Sequence, residues 1–129
     1  MASAIGVCLG SNKERTICIT GDGGFMFTGF EVSTAVQYGI PVIWIIFNNQ
    51  SLGTQKAWLR KHNLPEVACN LPYVDFAGLA RALGANGFCV NSFVELERAL
   101  QIAITEQKPA VLDVIIDPDP APVFQFSKG

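Results

Sequence analysis

The sequence predicts an α/β domain, a three-layer α/β/α arrangement around a mainly parallel sheet. Two observations lead to this: apolar strand-like runs alternate with amphipathic helical stretches, and one run, Val42 to Phe47, has no polar face at all. The composition agrees, with 50% hydrophobic and only 16% charged residues in 129 positions. Strands covered on both faces read as continuous apolar segments, whereas half-exposed strands alternate. A chain of this length fits one domain, residues 1–129, and removes roughly two-thirds of its unfolded surface from water.

Taken in order, Ala2 to Leu9 reads as the end of a helix, stopped by Gly10-Ser11-Asn12, with Lys13-Glu14-Arg15 on the surface. Thr16 to Thr20 is a β-branched strand closing on Gly21-Asp22-Gly23-Gly24. Phe27 to Tyr38 is amphipathic with a stripe at Val32, Ala35 and Val36, Gly39 suits a left-handed cap, and Pro41 opens a strand that closes on Asn48-Asn49. This order is a βαβ crossover, whose fixed hand brings Asp22 and Asn49 to the same carboxyl edge of the sheet, where ligands of open parallel sheets bind. From Asn48 to Pro72 periodicity fades, and a mixed stretch of that length reads as a lid or closing segment. Asp75 caps a helix through Phe76, Leu79, Ala80 and Leu83 that ends at Gly84, and Phe88-Cys89-Val90 is a short strand. Ser92 and Glu95 form a capping box for a helix reaching Gln107, and Ala110 to Ile116 is another buried strand. These last two elements read as scaffold, and the tail from Asp117 onward as extended.

Composition excludes several functions. A net charge of −2 with scattered basic residues gives no footprint for a nucleic-acid backbone. No apolar run approaches the roughly 20 residues of a membrane span, and the amino end lacks the order of a signal peptide, so no membrane partner is expected. Cys8, Cys18, Cys69 and Cys89 have neither metal-site nor secreted-domain spacing, which predicts buried free thiols and a reducing, cytoplasmic setting. From Thr16 through Gln55 only Asp22 and Glu31 are charged, so this stretch is expected to be core or an interface with another copy or a neighbouring domain.

The two turns carry the chemistry. Taken singly, Asp22 could satisfy backbone amides and Asn48-Asn49 could be turn formers; together, at one sheet edge, they form a partial oxygen cage. Mg²⁺ takes one or two protein oxygens and fills its octahedron with phosphate oxygens and water. A carboxylate beside a diphosphate repels it unless a cation lies between, and glycines let backbone N–H groups approach phosphate closely. A Rossmann site fails because Met26 stands where the third glycine belongs and the second strand ends in Asn48-Asn49 rather than an acid. A Walker loop fails for want of Gly-Lys-Ser/Thr.

Gly21-Asp22-Gly23 with Asn48-Asn49 resembles the thiamin-diphosphate signature of thiamin-dependent decarboxylases and carboligases, and Asn49-Gln50-Ser51-Leu52-Gly53 followed by Trp58 is most similar to the acetolactate synthase branch. The resemblance spans nearly the whole chain and implies the thiamin-diphosphate-binding fold. It implies Asp22 and Asn49 as side-chain Mg²⁺ ligands and Ser51 as a ligand through its carbonyl. Gly21, Gly23, Gly24, Phe25, Leu52 and Gly53 border the cofactor in this reading, and Gln55 and Trp58 belong to the substrate pocket. Gln55 stands where pyruvate decarboxylases carry an acid, which argues against a proton-donating role copied from them. The glutamate that activates the cofactor belongs to a pyrimidine-binding domain, usually of another subunit, and the residue that bends the cofactor would precede Met1. The expectation is therefore a cofactor domain cut from a longer 2-oxo acid decarboxylase or carboligase, inactive alone and working in a homo-oligomer. Met1-Ala2-Ser3-Ala4, beginning inside a helix, agrees with that. A small subunit completed by a separate chain, or a degenerate binding module, are the alternatives; the second predicts lost ligands, yet Asp22 and Asn49 are present.

Overall fold

Four strands, β1 (Thr16–Gly21), β2 (Val42–Asn48), β3 (Asn86–Val90) and β4 (Ala110–Ile115), pair in parallel in the order β1-β2-β4-β3. The computed structural model describes residues 1–12 and 14–117, and the tail expected beyond Asp117 lies outside them. Among the described residues six helices accompany the sheet: α1 (Ala2–Gly10), α2 (Asp22–Thr28), α3 (Glu31–Tyr38), α4 (Gly53–Lys61), α5 (Phe76–Ala82) and α6 (Phe93–Glu106). The steps from β1 to β2 and from β2 to β3 run the same way across the sheet, so right-handed crossovers put α3 and α5 on one face. The step from β3 back to β4 reverses and puts α6 on the other.

Each face has its own core. On the first, Val42, Trp44, Ile46 and Val111 pack with Ile5 and Cys8 of α1, Phe25 of α2, Val32 and Ala35 of α3, and Phe76 and Ala80 of α5. On the second, Ile43, Leu112, Val90 and Val114 pack with Ala99 and Ala103 of α6. The register Ile17↔Ile43 and Ile19↔Ile45 puts Ile17 and Ile19 on the α6 face, but α6 packs chiefly on β3 and β4, and the two isoleucines at the β1 edge stay 49% and 64% exposed. Phe27 and Phe30 are also exposed, at 87% and 70%, so much of the charge-poor stretch is apolar surface rather than core.

Local signals explain most element ends. Gly39, at φ +57°, closes α3 with its N–H on the Val36 carbonyl while the Ile40 N–H takes the Ala35 carbonyl, the left-handed stop expected there. Asp75 Oδ1 accepts the Gly78 N–H at 2.7 Å, and Ser92 Oγ accepts the Glu95 N–H at 3.3 Å while Glu95 takes the Asn91 N–H at 2.7 Å. Three expectations are corrected. The single helix over Phe27 to Tyr38 is two, since α2 already starts at Asp22 and a turn at Gly29-Phe30 separates it from α3. The mixed segment holds a regular helix, α4, which buries no residue fully and so shows no apolar stripe. Cys89 is exposed and Cys18 half-buried, because β3 and β1 lie at the sheet edges; only Cys8 and Cys69 are buried free thiols.

Candidate functional site

The carboxyl ends of β1 and β2 meet through Asp22. As the first residue of α2, and only 3% exposed, it accepts the Gly23 N–H on Oδ1 at 2.7 Å and the Ser51 N–H on Oδ2 at 3.3 Å. The second bond joins residues 29 positions apart, so the two sequence turns are one site. The Gly23 N–H, expected to face a phosphate, is engaged here by Asp22 itself. A Cβ at Gly23 would sit 2.7 Å from a Leu52 methyl, so a side chain there would have to push Leu52 of the second turn aside.

Asn49 is 9% exposed, and among the described residues no side-chain hydrogen bond holds its amide. Ser51, 4% exposed, donates its hydroxyl to the Cys69 carbonyl at 3.3 Å. Ser51 and Asn70 form an antiparallel bridge, flanked by Leu52 N–H to Cys69 O and Leu71 N–H to Gln50 O, both at 2.8 Å. Residues 49–75 therefore leave β2, form α4 and fold back on themselves. Phe25 points away from the turn: its ring is buried edge-on against Phe76, with centroids 5.2 Å apart, so only its backbone can serve a ligand. Gly21 and Gly24 are exposed at the mouth, and Gly53 lies against the Asn49 amide.

Gln55 and Trp58 are brought together on a cavity of about 350 Å³ that Leu52, Leu59, Val67 and Cys69 also line. Trp58 is half exposed and its ring lies 4.5 Å from that of His62, while Arg60 pairs with Glu66 across the turn after α4. Among the described residues no group of three or more His, Cys, Asp and Glu gathers. One carboxylate, one unengaged amide and main-chain carbonyls form a hard-oxygen set, which suits Mg²⁺ with a phosphate ligand and not a soft metal.

A residue of the supposed scaffold belongs to this neighbourhood. Asp113, on β4 and 1% exposed, accepts the Asn48 amide N–H on Oδ1 at 2.9 Å and the Phe76 backbone N–H on Oδ2 at 3.2 Å. Its signal in the sequence was a lone acid inside the apolar run Ala110 to Ile116. Desolvation by burial pushes its carboxyl above the ordinary 3.8, with the nearby Asp75 adding repulsion and the bonds from Asn48 and Phe76 opposing the rise. A carboxyl raised by folding binds its proton more tightly in the native state, so its contribution to stability is complete below 3.8 and is lost as pH rises through the folded value. In urea unfolding at a series of pH values, the stability of wild type relative to Asp113→Asn is expected to grow as pH falls from neutral toward 4. A flat or opposite trend would mean that burial does not dominate the carboxyl.

Comparison with known proteins agrees with the geometry. A family profile described as "Thiamine pyrophosphate enzyme, C-terminal TPP binding domain" matches residues 1–114. The chain is 38% identical over 124 residues to the "Probable acetolactate synthase large subunit" of Methanococcus aeolicus, covering 92% of this chain and 20% of that protein. It is 37% identical over 121 residues to the "Acetolactate synthase large subunit" of Haemophilus influenzae, covering 89% of this chain and 21% of that protein. Among solved structures, benzoylformate decarboxylase from Polynucleobacter necessarius superposes with a TM-score of 0.83 at 26% identity, over 93% of this chain and 23% of that one. The chain thus spans about a fifth of the length of these relatives. With its parallel sheet, its paired turns and a profile match over nearly all of its described residues, the chain belongs to the thiamine pyrophosphate enzyme family, as the family's C-terminal TPP-binding domain.

Proposed function

We propose that this domain holds thiamin diphosphate through one Mg²⁺ ligated by Asp22, the Asn49 side chain and the Ser51 carbonyl, within a 2-oxo acid decarboxylase or carboligase of the acetolactate synthase type. The observation that carries the reading is the Ser51 N–H bond to Asp22, which sets the second turn over the first beside an Asn49 amide that no described residue engages by a side-chain hydrogen bond. Gly21, Gly23, Gly24, Phe25, Leu52 and Gly53 surround the diphosphate in this reading. Asp22 would supply the anionic ligand to the cation, and the buried turn carrying Asn49 and Ser51 its neutral oxygens. When bound, the cofactor supplies the electron sink for decarboxylation. Gln55 and Trp58, on their shared cavity, shape the pocket for the acceptor substrate.

The partner is a pyrimidine-binding domain or subunit, in a homo-oligomeric enzyme of the cytoplasm. The exposed Ile17, Ile19, Phe27 and Phe30 support such a partner, since isolated domains seldom leave so many large apolar side chains in water. No helix among the described residues is long and apolar enough to cross a membrane. The chain alone is expected to bind weakly and not to turn over 2-oxo acids. Calorimetric titration with thiamin diphosphate, first with Mg²⁺ and then with excess chelator, should show binding that chelator abolishes. A folded chain whose binding ignores the chelator would overturn the metal assignment.

A further inference from the structure

We infer that Asp113 is a positioning residue for the metal-binding turn, acting as a clasp that holds both ends of residues 49–75 on β4. The inference rests on the proposed ligation by Asp22, Asn49 and Ser51. One oxygen of its carboxylate takes the Asn48 amide across 65 positions of sequence, and the other takes the Phe76 N–H across 37. Asn48 and Phe76 are the residues immediately before and after that segment, so a single buried group closes its base. Within the segment the Ser51 to Asn70 bridge already joins the outgoing and returning legs. The Ser51 N–H bond to Asp22, at the head of α2, ties the outgoing leg to the first turn; what neither tie supplies is a hold on the base of the segment, where it leaves β2 and enters α5.

The hydrogen-bond pattern makes the carboxylate chemically specific. Asn48 is 1% exposed; it presents its NH₂ to Asp113 and its Oδ1 to the Gln50 N–H at 3.3 Å, while its own carbonyl accepts the Ile116 N–H at 3.0 Å. Because Oδ1 is taken by Gln50, the Asn48 amide cannot be flipped without orphaning that N–H. Two donors thus converge on Asp113 from separate elements and require two acceptor oxygens. An asparagine there offers one acceptor and turns an NH₂ toward the other donor. A buried carboxylate is costly to desolvate, and its flanking residues Leu112 and Val114 show that the strand otherwise takes apolar side chains. The consequence at the site is directional. Asp113 fixes Asn48, Asn48 fixes Gln50 through its N–H, and the residues on either side of Gln50 are Asn49 and Ser51, the two proposed ligands from the second turn.

The test uses the whole chain and three variants, Asp113→Asn, Asn48→Ala and their combination, with Ile43→Val as a core control on the other face of the sheet. The midpoint of Mg²⁺-dependent thiamin diphosphate binding is read by calorimetry, and amide exchange at Gln50 and Ser51 by NMR. Asp113→Asn and Asn48→Ala should each raise the Mg²⁺ midpoint at least about 10-fold and speed exchange at both amides. The double variant should be no worse than the weaker single, because the two residues act as one unit. Ile43→Val should leave the midpoint unmoved. If Asp113→Asn does not fold, Asn48→Ala decides, since it leaves β4 intact. Folded variants that keep the wild-type Mg²⁺ midpoint overturn the inference and leave Asp113 a purely structural group. A folded wild type that fails to bind the cofactor with Mg²⁺ overturns the metal reading itself and the positioning role with it, even where exchange at Gln50 still depends on Asp113.

Discussion

Asp22→Ala is expected to lower Mg²⁺-dependent affinity for thiamin diphosphate by at least about 100-fold, on the order of 2.7 kcal/mol. Two losses combine. The proposed cation loses its only anionic protein ligand, and the diphosphate then has nothing to screen it from the low-dielectric floor of the turn. The Ser51 N–H, held by Oδ2 in the wild type, is left without a partner in a buried place, at about 1–3 kcal/mol. Asp22→Asn separates the two, because it keeps one acceptor but no charge. The readout is calorimetry with and without chelator. In wild type the chelator should abolish binding, and in both variants whatever binding remains should ignore it. Wild-type affinity in a folded Asp22→Ala chain would remove Asp22 from the ligand set.

Trp44→Ala carries the largest expected loss of stability, about 3–5 kcal/mol, because it deletes the largest fully buried side chain from the middle of β2. Trp44 packs in the cluster shared by α1, α2, α3, α5 and the strand β4, so the void opens inside the core of that face. For a domain held by roughly 5–15 kcal/mol this is a large part of the total. The indole N–H of Trp44 is buried with no hydrogen-bond partner among the described residues, so wild type already bears a desolvation cost that truncation relieves. Trp44→Phe should therefore cost far less than Trp44→Ala. Urea unfolding of the three chains measures the order, and equal losses for Phe and Ala would show that the indole itself, rather than the volume, matters.

How legible these features were in the sequence depended on how local their signals are. The strands, α5, α6 and the Gly39 stop are encoded by neighbouring residues: a β-branched run, a capping pair, a glycine that accepts positive φ. That the turn after β2 comes close to Asp22 was legible because the handedness of a βαβ unit converts sequence order into position; that Ser51 makes the bond came from no local pattern. α4 was not, since Gly53 to Lys61 packs too lightly to show a periodic face. The break between α2 and α3 was hidden because the apolar spacing continues across Gly29. Asp113 was the clearest omission. Its partners lie 65 and 37 positions away, and nothing near it in sequence distinguishes a clasp from an odd acid in a strand. Trp58 and Gln55 fell on one cavity, although only the resemblance, and no pattern, had joined them.

The strand order β1-β2-β4-β3 has a consequence for how the chain matures on the ribosome. Among the described residues the strand made last, β4, is not added at a rim; it enters between β2 and β3, and β3 pairs there with β4 alone. Until residues 110–115 leave the exit tunnel, β2 and β3 each show an open edge, and the segment after Asn48 has no anchor at its base. Synthesis runs at about 5–20 residues per second, so an emerging chain passes seconds in this unclosed state. Closure and completion of the site then coincide, because the strand that zips the sheet also brings in Asp113. A nascent chain arrested before residue 110 would hold every proposed ligand and still lack the geometry to use them.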